Sequence, residues 1–552
     1  MNDAPTAPVA TARSGLAALQ QIRETVQALL AQGKTDEAWA VCLGALEAVL
    51  RKTSELELLV TKLRREHSGR SSERIDPGQL ALLFDLLVGQ GEPKLEVDRA
   101  TLAAEDAALD REIKAAEAAH SEAARRRRRK ARKAGAGWQT RGVEQQVHTV
   151  EVPAADRTCP TCHRAMDRIG VDVTRRLEYV PGHFVEHEYH MEKVACGRCK
   201  DGVTTAPAPP QVLERSAADA SLLAHIVVDK FADHTPLHRW HRKYARTGAD
   251  IPVSTLADWT AGVGDLVTPV VDYLADRVLT ADIVRTDATG LKVLDPQSAA
   301  HVAIGTMWVY VGDDRDVVFR YTPTGEGATG PWAFLAGRTG YVQADASNVF
   351  DRLFTGQVAQ AIEVGCWSHA RRGLVELEQT DCRVAYPLAL IARLFRIEHL
   401  ADARGLAPDE RAALRQARSS PVLDQLHRWC VLTVTKEPPG SALAKATTYL
   451  VNHYTALTRF LQDGRIDLTN NLTERQVRDI AVGRRNYLFA GSHAAARRAA
   501  NLYSLVRTCA QYGVPPLAYF TDLLKKLANG CRITQVRDLL PDRWRPDSST
   551  PQ

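Results

Sequence analysis

The chain has 552 residues, 45% hydrophobic and 25% charged, with 71 Lys/Arg against 66 Asp/Glu for a formal charge of +5. That length supports several domains with apolar cores and no need of disulfide staples, and the composition excludes a collagen-like, mucin-like or wholly disordered chain. No run of about 18 apolar residues and no basic-then-apolar leader is visible, so neither a membrane partner nor a secretory route is expected.

Residues 1–12 read as a disordered tail, and residues 13–124 as a helical, leucine-zipper-like region. Cys42, Leu46, Val49, Thr53, Leu56, Val60 and Leu63 recur at alternating spacings of four and three, the seam of a short coiled coil. A simple helical hairpin fits the same pattern. Charge is unevenly spread. Residues 1–124 hold 14 Lys/Arg and 20 Asp/Glu, whereas residues 125–141 hold nine Lys/Arg and no acid. The run Arg125, Arg126, Arg127, Arg128, Arg129, Lys130, Arg132 and Lys133 lies in a basic linker, 125–142. A solvated linker is the plain reading. A run this dense neutralises several phosphates, so nucleic acid is the expected partner, without base specificity.

Residues 143–208 carry two cysteine knuckles, Cys159/Cys162 and Cys196/Cys199. Four soft thiolates in two CxxC pairs suit a tetrahedral structural Zn²⁺. Redox chemistry is the rival, but two pairs without a strand–helix context favour zinc. His163, His187 and His190 are read as surface histidines rather than substitute ligands. The other six cysteines follow no disulfide framework, which fits reduced thiols in a cytoplasm.

Residues 209–277 follow the Pro-rich stretch 206–210. Two helices fall in 217–247, and Ser254 and Thr255 are placed to cap a third over 255–264. Arg239, Arg242, Lys243 and Arg246 make this resemble a helix-turn-helix; an ordinary hairpin fits equally. From about 280 the period becomes that of strands. Residues 283–287, 306–312 and 317–321 form a meander with turn chemistry at Gly312-Asp313-Asp314. A short helix (331–336), a strand (341–345), a helix (347–355) and a strand (362–367) follow. That order is the order of a ribonuclease-H-like α/β sheet, here 278–368. Residues 369–466 are helical in pattern, and 467–528 open with the helix containing Glu474. Residues 529–552 read as a C-terminal tail.

This order places Asp287 and Asp345 on neighbouring strands, where hard oxygen ligands suit Mg²⁺ or Mn²⁺ and phosphoryl chemistry. Glu474 is the candidate third carboxylate. Local chemistry leaves the triad open. Asp282, Asp313, Asp314 and Asp316 compete with Asp287. Glu474 also stands at a capping-box spacing from Asn471 and an ion-pair spacing from Arg478.

Ordered blocks from about residue 40 to 528 carry a family resemblance. They include SGRSSERID (68–76), RRLEYVPGHF (175–184), VACGRCKDGVTTAPAPP (194–210), TDATGLKVLDP (286–296), GYVQADASNVF (340–350), GCWSHARR (365–372) and DGRIDLTNNLTERQVRDIAVGRRNYLFAGS (463–492). The chain resembles the transposases of the bacterial insertion sequence 66 family. The resemblance implies a multidomain α+β protein: a coiled-coil arm, a zinc-binding domain, and a ribonuclease-H-like catalytic core with a helical insertion. It implies an Asp-Asp-Glu transposase with Asp287, Asp345 and Glu474 as catalytic metal ligands. His369, Arg371, Arg372, Arg475, Arg478, Arg484 and Arg485 are then expected to contact DNA. The implied partners are double-stranded DNA at terminal repeats and target, a second protomer or higher oligomer, and small accessory proteins of the same element. The implied setting is the cytoplasm, at the nucleoid. The chain departs from the family at Asp287-Ala288-Thr289, where Asp-Glu-Thr is usual. It departs again at Asp345-Ala346-Ser347, where Asp-Gly-Tyr is common, and at Gly373, where Lys is usual. A DNA-binding repressor of the element that has lost the chemistry is the alternative, as is a nuclease without joining activity.

Overall fold

The structure is a computed structural model. It describes scattered positions in 23–43, residues 104–119, 147 and 163–164, and residues 182–195, 203–531 and 533–545. Cys159, Cys162, Cys196 and Cys199, the basic run Arg125–Lys133 and most of the 13–67 seam lie outside the described residues. The chain divides into two compact units, residues 1–112 with 374–393, and residues 113–373 with 394–552. Within the first, Arg393 donates to Asp106 at 2.6 Å and to Glu105 at 3.2 Å.

The second unit contains a two-stranded antiparallel ribbon, β1 (Lys193–Ala195) and β2 (Val203–Thr205). Four helices follow: α1 (Ala220–Phe231), α2 (Leu237–Ala245), α3 (Val253–Leu266) and α4 (Thr268–Thr280). Asp219 starts α1 by accepting the Ala220 amide at 2.6 Å. Ser254 and Thr255 do not cap α3. Pro252 stands at its N-cap with extended backbone and no side-chain hydrogen bond, so the helix begins one residue before Ser254. The sequence pattern does not predict the fourth helix. Only Val267 separates it from α3, and Pro269 serves as its first-turn residue.

The core sheet has five strands: β3 (Ile283–Leu294), β4 (Val302–Gly312), β5 (Asp316–Thr322), β6 (Tyr341–Gln343) and β7 (Ile362–Val364), in the spatial order β5-β4-β3-β6-β7. β3, β4 and β5 form an antiparallel meander, while β6 runs parallel to β3 and β7 parallel to β6. Asp313 and Asp314 turn the β4–β5 hairpin with φ of +43° and +67°, the two positive values that a tight twisted hairpin needs. α5 (Pro331–Phe334) and α6 (Asp351–Phe354) fill the crossings, both shorter than the sequence pattern predicts.

The helical block follows as α7 (Trp367–Leu377), α8 (Ala385–Arg404), α9 (Pro408–Lys436), α10 (Ala442–Asn452) and α11 (Tyr454–Thr458). The chain then returns to the sheet through α12 (Asn471–Tyr487), α13 (His493–Tyr512) and α14 (Pro516–Ala528). α13 covers the free edge of β5. Ser504 accepts the Phe319 amide at 2.8 Å and Thr508 the Val317 amide at 3.1 Å, so the edge donors are satisfied inside the fold. Apolar residues of α1, α3, α4, α13, α14 and the sheet form one continuous core. Among the described residues no helix is long and apolar enough to cross a membrane.

Candidate active site

Strand direction reverses at β3: antiparallel neighbours lie on one side of it and parallel ones on the other. In α/β sheets functional groups commonly gather beyond the carboxyl ends of the parallel strands. Here β6 pairs with β3 as Ile283↔Tyr341, Val284↔Val342 and Arg285↔Gln343, and then stops. Continuing that offset by two residues brings Asp287 level with Asp345, which lies just past the end of β6. Strand alternation puts Asp287 on the same face as Arg285. Glu474 comes from the first turn of α12, which packs along β3.

The start of α12 is fastened to the sheet by buried polar groups. The Asn470 side-chain amide donates to Thr286 O at 2.8 Å, and the Asn470 backbone amide points at Cys366 Sγ at 3.2 Å. Gln343 donates to Asp467 O at 2.8 Å and to Gly365 O at 3.3 Å. Arg285 donates to Asp314 at 2.9 Å, Asp467 at 3.1 Å, Gln343 at 3.2 Å and Arg465 O at 3.3 Å. All three of these side chains are buried. Sequence reasoning missed them, because their partners lie far away along the chain. The visible signal was a lone arginine inside an apolar strand start, Ile283-Val284-Arg285.

The rival aspartates are committed elsewhere. Asp282 pairs with Arg465 at 2.6 Å and Asp314 with Arg285 at 2.9 Å. Asp316 pairs with Arg277 at 2.8 Å, and Asp313 accepts the Ile283 amide at 3.2 Å. Among the described residues Asp287 accepts only its neighbour's amide, from Ala288 at 2.7 Å. Among the described residues Asp345 and Glu474 have no side-chain hydrogen bond or ion pair. The local roles that spacing offered Glu474 are not taken up. The N-cap is Asn470, without a side-chain cap bond, and Arg478 does not pair with Glu474.

Burial raises the Asp287 carboxyl to about 6; the Ala288 amide opposes this, the Asp345 and Glu474 charges add to it, and Arg372 lowers it. A carboxylate pushed up by burial and by two like charges is a group short of a cation. Oxygen donors of this kind match Mg²⁺ or Mn²⁺. The three are near enough to feel one another, yet they are not drawn to ligand spacing. Among the described residues no three His, Cys, Asp or Glu side chains form a closed metal-holding group.

A family model described as "Transposase IS66 family" matches residues 215–498, just over half of the chain, and spans every residue of this site. The chain belongs to the IS66 transposase family. A model for the zinc-finger binding domain of transposase IS66 matches residues 156–200. One described as "Transposase C of IS166 homeodomain" matches 55–136. The transposase therefore carries a zinc-binding domain ahead of the sheet. Among its relatives are uncharacterized proteins of Sinorhizobium fredii (strain NBRC 101917 / NGR234). Protein y4hP is 31% identical over 90% of this chain and 89% of its own length. Protein y4qI is 32% identical over 73% and 76% respectively.

The basic residues expected to serve this transposase fall into two groups. Arg475, Arg478 and Arg485 are exposed on α12, and Arg372 is exposed on α7 near Asp287. His369 and Arg371 are half-buried on α7, where the His369 Nδ1 atom is buried and finds no hydrogen-bond partner. Arg484 turns inward, donating to Thr289 Oγ1 at 3.0 Å and to Gly290 O, so it ties α12 to β3. Arg239, Arg242 and Lys243 on α2 and Arg246 at its C-cap are all exposed, while Trp240 is fully buried.

Proposed function

We propose that this IS66-family protein cuts and joins DNA as an Asp-Asp-Glu transposase, through a ribonuclease-H-like core in which Asp287, Asp345 and Glu474 hold two Mg²⁺ or Mn²⁺ ions. The observation that supports this reading is that three carboxylates from three elements lie near enough for Asp345 and Glu474 to raise Asp287, while among the described residues Asp345 and Glu474 have no side-chain hydrogen bond or ion pair. When bound, the metals supply charge neutralisation at the attacking and leaving oxygens of an in-line phosphoryl displacement. The protein's part is positioning. Asp287 gives up its proton to become a ligand. Asn470, Gln343 and Arg285 fix the start of α12 so that Glu474 faces β3. Arg372 lies where it can meet a phosphate oxygen, and the exposed arginines of α12 hold the backbone.

In this reading Cys159, Cys162, Cys196 and Cys199 are the zinc ligands. The α2–α3 pair and the zinc domain recognise the terminal repeats, and the N-terminal helical region pairs two protomers so that two ends are synapsed. The basic run Arg125–Lys133 adds sequence-independent attraction. Purified protein is tested with labelled terminal-repeat duplex and Mg²⁺ or Mn²⁺. Metal-dependent 3′-end cutting and strand transfer are expected. Tight binding without either product, with the element's accessory proteins supplied, supports the repressor alternative instead.

A further inference from the structure

α12 ends in a turn that a leucine does not favour. Leu488 has φ +64° and ψ −44°, and across it the Phe489 amide donates to Tyr487 O at 2.7 Å. That is a γ-turn with positive φ at its centre, the rare and strained hand. Such strain persists only where the surroundings over-determine it. They do so here. The Leu488 amide donates to Arg484 O at 3.0 Å, the Ala490 amide to Lys292 O at 2.9 Å, and the Leu294 amide to Ala490 O at 2.9 Å. The turn is stapled to α12 on one side and to the far end of β3 on the other. Its result is display: Leu488 is 63% exposed and the adjacent Phe489 42%.

The charge around this tip identifies its partner. Arg475, Arg478, Val482 and Arg485 follow one another at spacings of three, four and three, and all are exposed. They form one face of α12, and the turn at Leu488 and Phe489 follows where the helix ends at Tyr487. Residues 475–492 contain four arginines and a single acid, Asp479, whose carboxylate is paired with Arg507. At the far end Arg239 of α2 donates to Asn486 at 3.3 Å. A cationic track ending in a bare apolar tip matches a duplex, where phosphates lie outside and the faces of the stacked bases offer the largest apolar surface, one that apolar wedges enter.

We propose that Leu488 and Phe489 form a wedge that enters the base stack of bound DNA and unstacks one step at a fixed distance from the cut. Fourteen residues separate Glu474 from Leu488, ~21 Å along a helix at 1.5 Å per residue, or about six base steps. Only the position of the cut rests on the proposed roles of Asp287, Asp345 and Glu474; the wedge itself needs binding alone.

The test uses the full-length chain carrying Asp287→Ala, so that the DNA stays whole, and a terminal-repeat duplex with 2-aminopurine placed at one position at a time. A several-fold rise in fluorescence is expected at one or two adjacent positions, about six base pairs from the repeat's cleavable end. Adding Leu488→Ser with Phe489→Ser abolishes the rise while duplex binding and the melting transition are kept. Phe489→Trp preserves it, and Leu488→Gly relieves the turn and raises the melting temperature. Bound DNA with flat fluorescence at every position, or a rise that survives the double substitution, overturns the wedge and leaves the cutting reading standing. A double variant that instead changes the mass of the free protein in sedimentation makes the pair a protein contact and also overturns it. Failure of the full chain to bind the duplex at all overturns both readings.

Discussion

Two buried arginines grip the same stretch of chain, residues 460–467, and they do it differently. Arg415 of α9 meets Glu398 with two bonds of 2.7 Å and holds Phe460 O at 2.7 Å and Asp463 O at 2.9 Å. Arg285 of β3 holds Arg465 O at 3.3 Å and Asp467 at 3.1 Å, with Asp314 and Gln343 as its other partners. The carboxylate paired with Arg415 is nearly buried, at 12% exposure, while Asp314 and Asp467 are each about half exposed, at 49% and 51%. The first arginine therefore serves the stability of the helical block. The second serves placement, because the strap it holds leads straight into Asn470 and the Glu474 turn.

The largest expected effect lies at the end of that strap. Asp287→Ala, Asp345→Ala and Glu474→Ala each reduce cutting and joining to background in a strand-transfer assay while DNA binding by gel shift is retained. Full activity in any one removes that residue from the site. The next effect separates the two arginines. Arg415→Met leaves Glu398 with Arg411 alone, at 3.2 Å, and takes the donor from the Phe460 and Asp463 carbonyls, costing about 3 kcal/mol in urea unfolding. Arg285→Met costs about 2 kcal/mol, since its partner carboxylates can return to water. Activity moves the other way. Arg285→Met lowers joining about a hundredfold through a displaced Glu474 turn, whereas Arg415→Met lowers it only as the folded fraction falls. Equal losses of activity in the two variants break the distinction.

The sequence made one side of this comparison visible and hid the other. The β3–β4–β5 meander announced itself through apolar alternation and the Asp313-Asp314 turn, and the element order placed Asp287 beside the strand that ends near Asp345. Strand ends were less legible. β6 stops at Gln343 and β7 at Val364 because pairing stops there, while the apolar pattern runs on to Ala344 and Trp367. Local spacing could not rank Asp287 above Asp282, Asp313, Asp314 and Asp316. What separates them is whether a partner, mostly distant in sequence, arrives. Arg285, Gln343 and Asn470 were silent for the same reason: their partners lie 58 to 184 residues away, apart from Gly365 and Asp314.

A smaller effect appears with pH. Asp287 titrates at about 6 in the folded, metal-free protein, above its value of 3.8 in an unfolded chain. The folded state holds a proton that the unfolded chain has released, so this contribution is complete below about 4 and is lost as pH rises through about 6. Allowing for partial exposure, it amounts to about 1–2 kcal/mol. Urea midpoints of metal-free protein across that window should fall as pH rises, and Asp287→Asn should flatten the fall. The same proton competes with the cation, so Mn²⁺ affinity measured calorimetrically should climb below about pH 6 and level off above it. A pH-independent Mn²⁺ affinity would remove Asp287 from the ligand set.

The smallest expected effect is at Asn470, and there stability and placement come apart. Asn470→Ala loses one bond to Thr286 O and costs about 1 kcal/mol. The other amide atom, Oδ1, already lacks a partner, so little else is given up. The helix start survives, because the Asn470 carbonyl still accepts from Thr473 Oγ1 at 2.9 Å and from the Glu474 amide at 3.3 Å. Asn470→Asp is nearly the same shape, but it sets a carboxylate against Thr286 O and adds a negative charge beside Asp287. That charge should push the Asp287 titration higher still and move the onset of Mn²⁺ binding to higher pH, a change Asn470→Ala does not make. If both variants leave that onset where the parent has it, Asn470 is a helix-end residue only, and the strap's influence on the carboxylates passes through Arg285 and Gln343 alone.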